Sequence, residues 1–373
     1  MPTRHAPRIL ALVAATALVA TALGACSDDA DDAPDAGSIT ALLERVPDTE
    51  ANGRFVLVSL YAEAERDAGL EPQGKAGKAR ELRRLTRLTN DVDVGTGLPG
   101  GTLAASPYVA QQYGKLGYVP SDVEAEVTFG EPPSQGSVGV GTFDEDEVLD
   151  RAADVDGAER REVEGTRVVS WLDDQKIDLD LETPIGNLPG RAGRVAAPGG
   201  DLLAYTNDDA GMGRILATAD GERKSLADDD DLRAVAEGLD DADVTGAYLS
   251  TEPLGPAGGF RRRPGGSDGA AAKDQALQPY VAFGVGAALD DGTKELVVVL
   301  VHEDDESARE NAGRLRRIVA DGSSATTRRP WKSLLRAADV EQDGRLVEAT
   351  FEVDDPTLWL KIVQQRDHLL ATS

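Results

Sequence analysis

Cysteine and aromatic residues are scarce in this chain of 373 residues. It contains one cysteine, Cys26, and aromatic residues make up 4% of the sequence. A single cysteine excludes an internal disulfide and any metal site built from several thiolates. With so few aromatic rings, the chain offers little stacking surface for sugars or single-stranded nucleic acid, so we disfavour binding of either ligand.

Basic residues are also few relative to acidic ones. The chain has 39 lysine and arginine residues against 67 aspartate and glutamate residues, giving a formal net charge of −28 at pH 7. This charge disfavours contact with nucleic acid and with anionic lipid head groups, and it favours neutral, cationic or metal-bridged partners. A well-solvated acidic surface is the simpler interpretation of the same charge.

Long apolar runs are missing from the sequence except near its start. Residues 1–8 carry Arg4 and Arg8 and no acidic residue, and residues 9–23 form an almost unbroken apolar run. The run is shorter than the roughly 20 residues that a membrane-spanning helix needs. A basic start, a short apolar run and small residues before an acidic stretch are typical of a secretory signal peptide.

The end of this leader, Leu23, Gly24, Ala25 and Cys26, resembles the lipobox of bacterial lipoproteins, and the composition is similar to that of actinobacterial proteins. The resemblance implies that residues 1–25 are a signal peptide and that Cys26 is acylated, for example with palmitate. It also implies that the protein is held on the extracytoplasmic face of the cell membrane. The alternative is a secretory peptide with an incidental cysteine. Two acyl chains anchor firmly, so the body would need no membrane-binding surface of its own.

The rest of the chain is long enough for about two domains. Residues 26–37 are acidic and poor in apolar side chains, which predicts a disordered tether. Beyond it, the pattern predicts an α+β fold with two lobes, at 38–200 and 201–373, each a mostly antiparallel sheet with helices packed on one face. A strand, a helix and a further strand at 138–172 recur at 296–353, which indicates a diverged duplication.

Helices and strands are predicted from apolar periodicity and from capping and turn residues. The predicted strands are 55–60, 123–129, 138–143, 166–172, 202–206, 215–219, 244–250, 280–288, 296–301 and 344–353. Helices are predicted at 38–46, 61–68, 78–88 and 232–239, and from Asp144, Asp304 and Asp355 onward. The segments 184–200 and 253–272, rich in glycine and proline, are predicted loops.

Several motifs match known sites only in part. Residues 69–75 follow the spacing of a phosphate-binding loop, but Ala76 stands where a magnesium-binding hydroxyl belongs. Residues 265–269 match the G-x-S-x-G pattern of serine hydrolases, but within a predicted loop. His302, at a strand end, and His368, on the predicted last helix, are possible general bases, although surface or capping roles are simpler.

A calcium site is the one metal candidate. Asp241, Asp243, Thr245 and Glu252 have the spacing of ligands in an EF-hand calcium loop. Thr245 replaces the usual Asp or Asn, and Pro253 is incompatible with the exiting helix. The alternative is the end of a helix, an acidic turn and a strand. The acidic clusters at 144–147 and 228–231 similarly cap helices in their simplest interpretation.

No motif for a nucleophile, an acid–base pair or a cofactor stands out. We therefore expect a membrane-anchored binding protein without a cofactor, which takes a small ligand in a cleft between lobes or binds an envelope protein. The first alternative is an envelope hydrolase that uses two carboxylates. The second is a lipid carrier, which requires a long apolar cavity.

Overall fold

The computed structural model describes residues 37–70, 77–91, 93–174, 176–185, 190–255 and 276–372. The predicted signal peptide, the lipobox, Cys26 and most of the tether lie outside these residues. So do residues 71–75 of the phosphate-loop pattern and the whole of 265–269. The described residues belong to one compact unit, Pro34–Ser373. Within them, no helix is long and apolar enough to cross a membrane.

Twelve strands of the described residues form one sheet in the order β11-β12-β10-β9-β8-β1-β2-β3-β7-β6-β5-β4. Every neighbouring pair is antiparallel. The strands are β1 Val56–Leu60, β2 Val123–Phe129, β3 Gly136–Gly141, β4 Glu159–Val163, β5 Thr166–Trp171, β6 Gly193–Ala196, β7 Leu202–Thr206, β8 Val244–Ser250, β9 Ala282–Asp290, β10 Thr293–Val301, β11 Arg336–Asp343 and β12 Leu346–Glu352.

Several helices begin at capping residues that the sequence predicts. The last helix does not: it begins at Leu358, after Thr357, and Asp355 does not cap it but accepts a hydrogen bond from the backbone of Thr357. Ser38 accepts a hydrogen bond from the backbone of Ala41, and Asp144 and Asp304 cap their helices in the same way. The helices of the described residues are α1 Ile39–Leu43, α2 Glu50–Gly53, α3 Tyr61–Asp67, α4 Lys78–Asn90, α5 Val109–Gln112, α6 Glu145–Ala153, α7 Asp209–Ala219, α8 Asp230–Asp241, α9 Asp305–Asp321 and α10 Leu358–Gln364.

Both faces of the sheet are covered. Val297 and Val299 of β10 pack in a core with α1, α7 and α8, while Val298 and Leu300 pack in a second core with α9 and α10. The predicted α+β class and antiparallel pairing are confirmed. The prediction that the helices pack on one face is wrong. Strands such as β10 are apolar at consecutive positions, so both faces of the sheet must be buried.

Two predicted segments have a different structure. Residues 215–219, predicted as a strand, are the end of α7, in which Met212, Ile215 and Leu216 are buried at helical spacing. Asp208 caps this helix by accepting a hydrogen bond from the backbone of Gly211 at 2.6 Å. The predicted loop 184–200 contains β6, whose four residues are all buried. Burial in the sheet outweighs the weak strand signal of this glycine-flanked segment.

The predicted lobes share the single sheet. The boundary expected between residues 200 and 201 falls between β6 and β7, which are hydrogen-bonded neighbours. The units β3-α6-β4-β5 and β10-α9-β11-β12 have the same element order. However, β12 pairs with β10 directly, whereas β6 and β7 lie between β5 and β3. The two-lobe division and the duplication therefore stay predictions.

Candidate functional site

A cleft of about 710 Å³ lies between α4, α10 and residues 98–110, with β1 and β8 beneath it. We call it the α4–α10 cleft. Its volume is typical of a small-molecule pocket. Threonine, serine, asparagine and glutamine side chains contribute to its wall. The apolar part of its lining includes Leu57, Leu82, Leu85, Tyr248, Leu360 and Val363.

The amphipathic sequence of α4 explains how this helix forms one wall. Leu85 and Leu88 are buried against the body, whereas Leu82 is half-buried and lines the cleft together with Thr86. These positions lie three and four residues apart and so share one side of the helix.

An ion-pair cluster attaches α4 to α3. The guanidinium of Arg84 contacts Glu65 of α3, and it donates to the Glu81 carboxylate at 2.8 Å. Both glutamates are buried. Burial raises the pKa of Glu81, since it penalises the charged form of the carboxyl. Breaking such a buried cluster leaves an unpaired charge, so the cluster holds α4 in position.

Glu126 of β2 holds the opposite wall. Its buried carboxylate accepts hydrogen bonds from the backbone N–H groups of Thr102 at 2.5 Å, Leu103 at 2.8 Å and Ala104 at 3.1 Å. Burial raises the pKa of Glu126, and these N–H groups act in the opposite direction. A Cβ atom at Gly101 would overlap the carboxylate, so this close approach requires glycine.

A hydrogen bond connects the last helix, α10, to the start of the same segment. The indole N–H of Trp359 donates to the carbonyl of Gly97 at 3.0 Å, and the indole is fully buried. Gly97 has a φ of 59°, and a Cβ there would overlap the carbonyl oxygen of Pro356. The cleft is therefore assembled from both predicted halves of the chain, with α4 from the first and α10 from the second.

A second depression, of about 450 Å³, is acidic. It is lined by Glu63, Asp67, Asp243 and Asp290, among others. Burial and the charge of Glu63 raise the pKa of Asp67. Nevertheless, within the described residues no group of three or more histidine, cysteine or acidic side chains is placed to hold a metal ion.

The predicted calcium ligands are not brought together. Asp241 ends α8, Asp243 occupies a turn with a φ of 51°, and Thr245 lies in β8. Glu252 follows the far end of β8, and an extended strand rises about 3.3 Å per residue, so it is distant from the two aspartates. The structure instead contains the helix end, the acidic turn and the strand of the alternative interpretation.

The other candidate residues have structural roles. His302 is fully buried, with Nδ1 3.1 Å from the Arg345 carbonyl and Nε2 2.7 Å from the Asn311 amide nitrogen. Burial lowers its pKa. His368 lies beyond the end of α10, not on it as predicted. In the acidic clusters, Asp144 caps α6 and Asp229 caps α8, which confirms their simpler interpretation.

The sequence did not reveal the α4–α10 cleft, although it predicted both helices that border it. The available signal was the apolar stripe of α4, in which Leu82, Leu85 and Leu88 recur at helical spacing.

Comparisons with known proteins give distant likenesses. No protein-family model and no curated protein matches the chain. Crystal form I of TP0453 is similar with a TM-score of 0.40 and 9% identity, over 88% of this chain and 98% of that one. Crystal form III of TP0453 has a TM-score of 0.38 and 8% identity, over 86% and 96%.

Proposed function

We propose that this protein is a lipid-anchored binding protein of the extracytoplasmic face, and that its α4–α10 cleft holds a small apolar ligand such as an acyl chain. The observation that carries the proposal is the cleft itself, with about 710 Å³ of space and leucine, valine and tyrosine side chains in its wall. Of the functions that the sequence left open, a small-ligand receptor and a lipid carrier are the two that this cleft favours.

The lining supports an apolar ligand with a polar end. Leu57 and Tyr248 form an apolar floor, and Thr86, Asn90 and Gln364 supply hydrogen-bonding groups. Each methylene moved from water into an apolar site contributes about 0.8 kcal/mol. We therefore expect the affinity for a series of linear alcohols to rise about four-fold per methylene until the cleft is full.

The fragment 34–373 is suited to test binding. It contains every described helix and strand and the three clusters of buried apolar side chains, so it carries its own core. It also lacks Cys26, so no acyl chain of its own can fill the cleft.

Binding is measured as the fluorescence gain of the neutral apolar dye Nile red, and as its displacement by long-chain alcohols. Thr86 is exposed on α4 at the cleft, so Thr86→Trp should occupy the space and weaken dye binding at least ten-fold. Ala320→Trp, at an exposed position of α9, is the matched control and should bind as the unmodified fragment does. Absence of dye binding, or equal binding by the two variants, would refute the proposal.

The anchor is tested separately in the full chain. The mass of the membrane-bound form should show acyl groups on Cys26, and Cys26→Ser should abolish them. A Cys26→Ser variant that still carries acyl groups would contradict acylation at this residue.

A further inference from the structure

Helix α4 differs in charge from the rest of the chain. It carries five basic residues and one acidic residue, Glu81, whereas the whole chain has a net charge of −28. Arg80, Arg83 and Arg87 are exposed and spaced three and four residues apart, so they form one outward face, which we call the arginine face. In the part of the chain that the structure describes, the ion pairs of α4 are those of Arg84.

Arg80, Arg83 and Arg87 have no carboxylate partner among the described residues, whereas several exposed arginines elsewhere in this acid-rich protein have one. Arg167 pairs with Glu145 and Asp146, and Arg336 pairs with Asp354. The arginine face is therefore a local surface on which positive charge is left available to another molecule.

The arginine face adjoins the mouth of the cleft. Thr86 and Asn90 line the cleft and lie beside Arg83 and Arg87 on the helix surface. Leu85 and Leu88, on the other side of α4, are buried against the body, so this helix offers another molecule an arginine face beside an apolar cleft. This combination selects an anionic lipid surface over a soluble anion, because a soluble anion would have no use for the adjoining apolar cleft.

We propose that the arginine face docks onto the anionic head groups of a lipid bilayer and so places the mouth of the cleft beside the membrane. The net charge of the chain disfavours such contact, but charges farther away than about 8 Å are largely screened at physiological salt. The positive charge of the arginine face therefore determines whether this part of the surface binds the head groups. Losing three arginines from such a surface lowers the affinity for anionic lipid by roughly 100-fold.

The test is flotation of the fragment 34–373 with vesicles of pure phosphatidylglycerol or pure phosphatidylcholine. We expect binding to the anionic vesicles, weakened by salt, and little binding to the neutral ones. The variant with Arg80→Gln, Arg83→Gln and Arg87→Gln should lose the binding, and glutamine retains helix propensity. A control with the same change of charge on α6 and α9 should keep it, with the substitutions Arg151→Gln, Arg309→Gln and Arg317→Gln.

Equal binding to both vesicle types, no binding to anionic vesicles, or equal loss in the two triple variants would overturn the inference. Membrane docking goes beyond the proposed cleft ligand. Either proposal can be refuted without refuting the other. Nile red binding without vesicles reports on the cleft and should be unchanged in the arginine-face variant. Vesicle binding, in turn, does not require an occupied cleft.

Discussion

Replacement of Glu126 tests how the wall of the cleft is held. In Glu126→Gln, an amide oxygen can still serve Thr102 and Leu103, but the amide nitrogen then faces the N–H of Ala104. One buried donor without an acceptor costs about 1–3 kcal/mol. In Glu126→Ala all three donors lose their acceptor, so the loss rises to about 3–9 kcal/mol, a large part of a typical stability of about 5–15 kcal/mol.

The assay is equilibrium unfolding of the fragment 34–373 in urea, together with hydrogen exchange of the amides at 102–104. We expect glutamine to lower the midpoint and alanine to lower it further, with faster exchange in both variants. Nile red binding should weaken in parallel, because the same segment lines the cleft.

The pH dependence of this difference has a definite sign. Burial raises the pKa of Glu126 above its unfolded value, so the folded state holds the proton more tightly than the unfolded state. The stability linked to this carboxyl is therefore present below the unfolded pKa and declines as pH rises through the folded pKa. The glutamine variant should lack this decline. A glutamine variant whose urea midpoint declines with pH as steeply as that of the unmodified protein would refute the reasoning, because glutamine has no carboxyl group to titrate.

Three further predictions concern other buried groups. Burial lowers the pKa of His302, so folding stability should fall as pH drops below the unfolded pKa of about 6.5. In His302→Gln, the urea midpoint should therefore change less between pH 5 and 8. Arg194 is buried, and its guanidinium contacts Asp174 and Asp209 at 2.6 Å each. Both carboxylates are about half exposed and are solvated when the guanidinium is removed, so Arg194→Met should cost about 1–3 kcal/mol in urea unfolding, and a loss below about 0.5 kcal/mol would contradict a structural role. Gly101→Ala should destabilise the fragment by displacing the Glu126 carboxylate, and a melting temperature equal to that of the unmodified fragment would show that the segment can shift freely.

Local signals in the sequence determined many elements of the fold. Ser38 and Asp304 are helix caps because a short polar side chain can accept the free backbone N–H groups of the first turn. The apolar run of β10 predicts a central strand because few other structures bury so many consecutive β-branched residues. These signals involve residues within a few positions of one another, so they can be read without the tertiary structure.

Only the tertiary structure decided the elements and the site that depend on distant residues. The short apolar run at 215–219 is compatible with a strand or a helix, and packing of Ile215 and Leu216 against the sheet makes it a helix. Leu85 and Val363 line one cleft although most of the chain separates them. The Glu126 carboxylate accepts hydrogen bonds from backbone groups of another segment, and no local sequence pattern predicts this contact. The sequence alone predicted the leader and determined the outline of the elements, whereas long-range packing decided where the α4–α10 cleft lies.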